Sequence, residues 1–133
     1  HSEVNASPTD YLKLFQIWIM PNNNNVTPRY QQIKIELTAN EFTQLVSPNA
    51  DDSGAWIYQD AWLHMGEFDQ NQEINYELKN PLNGLYIMIV DGMVNFDSKE
   101  VTKRDAIQLT SATKVQMTAL SKTKILLIET PIN

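Results

Sequence analysis

The residues whose chemistry stands out are two histidines and one nearby glutamate. The chain has only two histidines, His1 and His64, and Glu3 lies two residues after the first. On a β-strand, residues i and i+2 point to the same face, so His1 and Glu3 can converge on one metal ion. A catalytic metal site in a single domain needs three or four converging ligands. The pair therefore predicts at most half of a metal site.

His64 is the only imidazole in the body of the chain. It lies in the run A-W-L-H-M-G, where alternation places it on the same strand face as Trp62 and Gly66. Two interpretations stay open: a partly buried histidine that is bonded locally, and a residue that contacts a ligand. Trp18 and Trp56, like Trp62, leave a similar choice, because tryptophan lines small-molecule pockets, protein interfaces and cores.

Several other chemistries are excluded by the residue types that the chain lacks. The absence of cysteine excludes disulfides, zinc–thiolate sites and thiol nucleophiles. The four glycines are isolated, so no glycine-rich phosphate loop is predicted. No serine lies in a nucleophile elbow, and the body has no second histidine to serve as its base. Glu73 and Glu77 are expected on the polar face of a strand, which predicts solvated charges rather than a catalytic carboxylate pair.

Length, composition and charge restrict the class of protein. The 133 residues predict one domain, and the 42% hydrophobic share is ordinary for a globular chain. The net charge of −6 argues against nucleic acid and anionic lipid as partners. The chain has no run of about 18 apolar residues, so no membrane span is predicted. The chain starts with histidine and shows no signal peptide, so we expect a processed product or a piece of a longer protein, with the cytoplasm as its compartment.

The elements that must position these residues are predicted to be β-strands. Val, Ile and Thr contribute 29 residues and the aromatic residues 12 more, and both groups suit a pleated, half-buried surface. Apolar and polar residues alternate in three segments, and four further segments also have strand character. The predicted strands include residues 32–37, 73–78, 114–119, 11–20, 85–90, 106–109 and 124–129. Residues 85–90 are apolar on both faces, which predicts a central strand. About ten short strands in one domain indicate an all-β sandwich or barrel that closes its own edges.

Turn signals separate the predicted strands. Asn83-Gly84 and Asp91-Gly92 predict hairpin turns, because both central positions of a type I′ turn need a positive φ angle. Residues 21–28 and 47–54 are predicted to be loops, and residues 40–43 could form one helical turn at most. Residues 11–20 follow a polar opening and either form an edge strand or cross to a neighbour.

Three short motifs follow one another in the amino-terminal part of the sequence. H-S-E at residues 1–3 is followed by L-F-Q-I-W-I-M-P at residues 14–21 and by P-R-Y-Q-Q at residues 28–32. This order resembles the H-S-E, L-Q-I-W-I-x-P and P-x-Y-x-Q motifs of the pirin family of bicupins, in its quercetinase-like bacterial branch.

Two later segments extend the resemblance over nearly the whole chain. S-P-N at residues 47–49 and I-Y-Q-D-A at residues 57–61 are similar to the family's S-P-D-G and I-x-Q-D-A. Y-E-L at residues 76–78 and V-D-G-M-V at residues 90–94 are similar to motifs that are generic to cupins. The resemblance implies an RmlC-like double-stranded β-helix, which is the cupin or jelly-roll barrel.

The resemblance also implies a division of the chain and a metal outside it. Pirin-like proteins have two cupins, and the first holds a metal through an H-x-H pair followed by the His and Glu of H-S-E. His1 and Glu3 match the last two ligands. Residues 1–10 would then be a remnant of the N-terminal cupin's last ligand strand and the linker, and residues 11–133 the C-terminal cupin. The full-length protein is expected to bind Fe, Mn, Ni or Cu, and this chain by itself none.

The second cupin departs from the metal-binding pattern. The H-x-H positions align with Tyr76 and Leu78, the later Gly-Asp turn is replaced by Arg104-Asp105, and no histidine follows. An oxygen- or nitrogen-ligated metal site cannot be built from these residues. Tyr76 and Leu78 are instead expected to fill the barrel.

Three hypotheses for function follow. The first is a non-catalytic, structural cupin of a quercetin 2,3-dioxygenase-type enzyme, inactive as this fragment. The second is a stand-alone cupin that binds a small apolar or sugar ligand between Trp56, Trp62 and His64. The third is a protein-interaction module. The expected partner is the N-terminal cupin, or a second copy that forms a homodimer through residues 11–20, with no role for nucleic acid or membrane.

Overall fold

The fold is described by a computed structural model that covers residues 2–132. Within this range the chain forms ten β-strands and no helix, which confirms the all-β prediction. The strands are β1 (Phe42–Ser47), β2 (Ala55–Trp56), β3 (Trp62–Phe68), β4 (Glu73–Glu77), β5 (Asn83–Asp91), β6 (Met93–Phe96), β7 (Lys99–Thr102), β8 (Ala106–Leu109), β9 (Lys114–Ala119) and β10 (Thr123–Pro131). The described residues include no helix long and apolar enough to cross a membrane.

The strands form two sheets with many non-consecutive neighbours. One sheet has six strands in the order β2-β1-β3-β10-β5-β8, and the other has four in the order β4-β9-β6-β7. All pairings are antiparallel except β1 with β2. β10, the last strand, lies between β3 and β5 at the centre of the larger sheet. The carboxyl-terminal strand therefore connects the two halves of that sheet.

The core lies between the two sheets and follows the alternation of the strands. On β10, Ile125 and Leu127 are fully buried, and on β5 Ile87 and Ile89 are fully buried beside them. Burial of each such side chain contributes about 1.5–3 kcal/mol. The core cluster is completed chiefly by residues of the smaller sheet, among them Ile74, Val94, Val115, Met117 and Ala119. The predicted alternation of β4 and β9 is thus confirmed, as is the central position of β5.

Both predicted hairpin turns are wrong. Asn83 and Gly84 lie in β5, where Gly84 pairs with Thr130 of β10. At Asp91-Gly92 the chain bends, but it passes from the larger sheet into the smaller one rather than forming a hairpin. Gly92 has φ of 84°, and a Cβ there would clash with the carbonyl oxygen of Lys122, so this corner requires glycine.

The helical turn considered for residues 40–43 is also absent, because Phe42 already begins β1. The Phe42 ring packs edge-to-face on Phe68 and on Tyr76, with ring centroids 5.0 and 5.9 Å apart. These long-range aromatic contacts favour the strand over the local turn composition.

The segments at residues 11–20 and 32–37 were predicted to be strands, and neither is one in the structure. No described strand pairs with them, so their backbones form no inter-strand hydrogen bonds and the alternating pattern alone does not make them strands. We name residues 11–20 the crossing segment. It is attached at its end, where the Gln59 side chain donates a hydrogen bond to the Met20 carbonyl and the Tyr58 carbonyl accepts one from the Asn22 N–H. Most of its large apolar side chains are exposed.

Candidate functional site

A cluster of polar side chains lies inside the barrel at one end of the core. On β10 the inward positions Ile125 and Leu127 are followed by Glu129, which is 0% exposed. Glu129 pairs with Trp62 of β3 and Leu85 of β5, the central neighbours of its strand. The same alternation that buries the isoleucine and leucine therefore also buries a carboxyl group.

Both oxygens of Glu129 accept two hydrogen bonds each. Oε2 accepts one from the Tyr76 hydroxyl at 2.6 Å and one from the Lys79 N–H at 3.0 Å. Oε1 accepts one from the Asn83 amide at 2.7 Å and one from the Asn80 N–H at 3.0 Å. In the described part of the chain, four donors and no acceptor surround the group, which matches an ionised carboxylate. The hydrogen bonds replace the water that the buried charge has lost.

Tyr76 fills the barrel as predicted and also has a polar role that the prediction missed. Its side chain is buried in the core beside Leu78. Burial first, and then the hydrogen bond to Glu129, raise the pKa of the Tyr76 hydroxyl well above its ordinary value. The phenol therefore remains a neutral donor to the carboxylate.

His64 lies next to this cluster, on β3 opposite Leu127 of β10, and is only 6% exposed. Its ring packs edge-to-face on Tyr76 with centroids 5.2 Å apart. Its buried Nδ1 has no hydrogen-bond partner among the described residues. Burial, and secondarily the charge of Lys79, lower the pKa of His64 from 6.5 to about 4, although Glu129 opposes the shift. His64 is therefore neutral at pH 7.

Neither of two large grooves described for residues 2–132 brings the three tryptophans together. Trp56 lines a groove of about 430 Å³, in which the Arg29 guanidinium lies 4.0 Å above its ring and Tyr58 packs against it edge-to-face. Trp62 and His64 do not line that groove. Trp18 lies on the crossing segment and is 79% exposed.

The described residues do not fit a metal ion. No group of three or more His, Asp or Glu side chains converges anywhere in residues 2–132. His64 supplies one imidazole, and the Glu129 oxygens already accept four hydrogen bonds. Glu3 is exposed, and its predicted partner His1 lies outside the described residues.

Glu129 and Asn83 are the polar residues of the cluster that the sequence analysis missed. A signal for Glu129 was available, because it continues the inward alternation of Ile125 and Leu127. Asn83 gave no such signal, since the pair Asn-Gly has the composition of a turn.

Comparisons of the sequence with known proteins identify related cupins. Residues 44–130 match the family described as the quercetinase C-terminal cupin domain. Quercetin 2,3-dioxygenase of Escherichia coli K12 is 30% identical over 132 residues, which cover 98% of this chain and 56% of that protein. A putative quercetin 2,3-dioxygenase of Pasteurella multocida is 26% identical over 131 residues, covering 97% of this chain and 55% of that protein. The chain spans about half the length of the curated relatives it matches.

Solved structures share the fold. The bacterial pirin YhhW from Escherichia coli, in complex with nickel(II), superposes with a TM-score of 0.77 at 23% identity, over 87% of this chain and 49% of that one. A quercetin 2,3-dioxygenase from Acinetobacter baumannii superposes with a TM-score of 0.59 at 17% identity, over 73% of this chain and 35% of that one. The family match and the shared fold of these neighbours confirm the predicted cupin barrel.

Replacement of Glu129 tests the buried network. Glu129→Gln places an amide NH₂ among four donors, and we expect it to lower the free energy of unfolding by about 2–4 kcal/mol. Tyr76→Phe, which removes one donor to a charged acceptor, should lower it by about 1–3 kcal/mol. Glu77→Gln, on the exposed side of β4, is the control and should change it by less than about 0.5 kcal/mol. Urea denaturation measures all three, and a Glu129→Gln variant as stable as the control would contradict the network.

The buried histidine predicts a pH dependence of stability. The pKa of His64 is about 4 in the folded chain and 6.5 ordinarily, so between these values the unfolded state binds the proton and the folded state does not. The free energy of unfolding should fall as pH decreases from 6.5 toward 4, by at most about 1.4 kcal/mol per pH unit from this group. The His64→Phe variant lacks this contribution to the pH dependence, whereas the other titratable groups contribute in both proteins. Denaturation of both proteins from pH 4 to 8 checks it, and curves that stay parallel throughout would refute the assignment.

Proposed function

The chain belongs to the pirin family as a quercetinase-type C-terminal cupin. From this we propose that it is the non-catalytic half of a two-cupin enzyme. The intact protein is a metal-dependent dioxygenase of the quercetin 2,3-dioxygenase type, and its other cupin performs the chemistry. The names of the curated relatives and the half-length match support this proposal.

The observation that carries the proposal is that both carboxylate oxygens of Glu129 already have their full set of hydrogen bonds. A carboxylate that binds a metal needs a free lone pair, whereas both oxygens of Glu129 already accept two hydrogen bonds. A metal at this site would have to displace donors that hold a buried charge, and among residues 2–132 only His64 supplies an imidazole. The polar groups at this end of the barrel therefore stabilise the fold and leave no free ligand for a metal.

In this proposal the metal belongs to the preceding cupin, where His1 and Glu3 supply two of its ligands and upstream histidines the others. Fe, Mn, Ni or Cu would suit such nitrogen and oxygen donors. The related pirin YhhW was solved with nickel(II). When bound, the metal would act as a Lewis acid and would polarise the oxygens of a flavonol. Glu3 is exposed and is therefore accessible for this role.

The structural role of this half rests on the crossing segment. Its most exposed large side chains are Tyr11, Trp18 and Met20, which leave an apolar surface on an otherwise acidic chain. Apolar side chains of this size are buried in stable interfaces. We assign this surface to the N-terminal cupin, which it would brace against the C-terminal barrel.

The division of labour is tested by metal content and turnover. The 133-residue chain and the corresponding two-cupin protein are each loaded with Fe, Mn, Ni or Cu, and bound metal and oxygen uptake with quercetin are measured. We expect stoichiometric metal and turnover only in the two-cupin protein, because the described part of this chain has no convergent ligand set. Stoichiometric metal and turnover in the 133-residue chain would overturn the proposal.

The role of the crossing segment is tested by Trp18→Ser. In the 133-residue chain, the uncovered surface should cause self-association, and the substitution should raise the dimer dissociation constant about tenfold or more. In the two-cupin protein it should lower stability, because Trp18 is then buried between domains. Leu82→Ser is the matched control, since Leu82 is 78% exposed and lies outside the segment. Light scattering and thermal unfolding are the measurements, and identical behaviour of both variants would contradict the assigned surface.

A further inference from the structure

A groove of about 910 Å³ lies on the outer face of the six-stranded sheet, between the sheet and the crossing segment. Its floor includes Met65 of β3 and Met88 and Val90 of β5. Leu14 and Phe15 of the crossing segment form an apolar wall. The volume is within the range of small-molecule sites, and methionine side chains adapt to ligands of different shape.

The rim of this groove is cationic although the chain is acidic. Five of the chain's ten Lys and Arg residues line it, with only two acidic residues. The basic residues are Lys13, Lys103, Arg104, Lys122 and Lys124, and the acidic ones are Glu67 and Asp91. Five positive and two negative charges give the lining a net charge of +3, whereas the whole chain has −6. The groove therefore concentrates positive charge in one place.

Part of this positive charge is not neutralised by neighbours. Lys103 pairs with Asp91 at 2.8 Å, and Lys124 pairs with Glu67 at 3.1 Å. The remaining three, Lys13, Arg104 and Lys122, form no ion pair within 4.0 Å of any residue from 2 to 132. Lys13 adds a weaker contribution to that of Lys103 in lowering the pKa of Asp91. They are exposed, so an anion can approach them. Both acidic residues of the lining are already committed to other lysines.

We propose that this groove binds a small amphipathic anion, in which a carboxylate or sulfonate is attached to an apolar chain or ring. The apolar body lies on Met65, Met88 and Val90 and against the crossing segment. The anionic group lies at the rim, where it completes the pairing of Lys13, Arg104 and Lys122. Burial of the apolar body supplies most of the affinity, and the charge selects anions over neutral and cationic molecules.

The groove and the interface assigned to the N-terminal cupin use different side chains. Tyr11, Trp18 and Met20 do not line the groove, whereas Leu14 and Phe15 do. A domain that covers the first set can leave the second open. The inference therefore does not depend on the metal or on turnover of the other cupin.

The test compares ligands that share a body and differ in charge. Decanoate, decan-1-ol and decyltrimethylammonium are titrated into the 133-residue chain below their micelle or solubility limits, with calorimetry as readout. We expect decanoate to bind most tightly. Lys13→Glu and Lys122→Glu should each weaken decanoate binding by at least about twofold. Neither substitution should weaken the binding of decyltrimethylammonium. Lys114→Glu, an exposed change of equal charge on β9 of the other sheet, should leave decanoate binding within about twofold of the original.

Three results would overturn the proposal. The first is equal affinity for the three ligands, which would show that the rim charge selects nothing. The second is an equal loss for Lys114→Glu, which would show an effect of net charge alone. The third is loss of decanoate binding in the two-cupin protein, which would show that the groove is covered by the other domain. Retained binding there, with the same lysine dependence, supports the site whether or not that protein oxidises quercetin.

Discussion

The described barrel depends on one buried ionic group, the carboxylate of Glu129. An unpaired carboxylate in a protein interior is highly unfavourable, so its four hydrogen bonds must form when the chain folds. The four donors come from β4, from the connection that follows it and from the first residue of β5. The acceptor is on β10, about 50 residues later in the chain. One side chain thus fixes the smaller sheet, a connecting loop and the centre of the larger sheet relative to one another.

This constraint also explains the chemistry that the interior can and cannot perform. A cupin interior that binds a metal presents free nitrogen and oxygen donors. Here Tyr76 occupies one of the positions that the family resemblance assigns to a ligand, and its hydroxyl donates to Glu129 instead. His64 keeps an imidazole, but burial holds it neutral beside the Tyr76 ring. The polar residues of the interior bind each other, and this supports the proposal that the chain is a structural half.

The sequence predicted part of the fold, and the strands β1, β2, β6 and β7 were not among the predicted segments. β4, β5, β8, β9 and β10 were all predicted, because each buries its apolar positions against the other sheet or a neighbouring strand. Residues 11–20 and 32–37 have the same kind of pattern, but periodicity does not reveal whether a strand has a partner to pair with. The prediction of a hairpin turn at Asn83-Gly84 was wrong for another reason. Its turn composition is a local preference, and the hydrogen bond from Asn83 to a glutamate 46 residues away outweighs it.

The candidate sites were less predictable than the strands, since they join residues that are distant in sequence. His64 and Tyr76 were both singled out, but only the fold shows that they touch each other and that Tyr76 touches Glu129. Side chains of β10 alternate between the two faces of the sheet, so this one strand contributes to two different sites. Glu129 points inward and closes the core, whereas Lys124 points outward to the cationic groove. Because the two sets of side chains lie on opposite faces, ligand contacts on the outer face can change without disturbing the network that holds the barrel together.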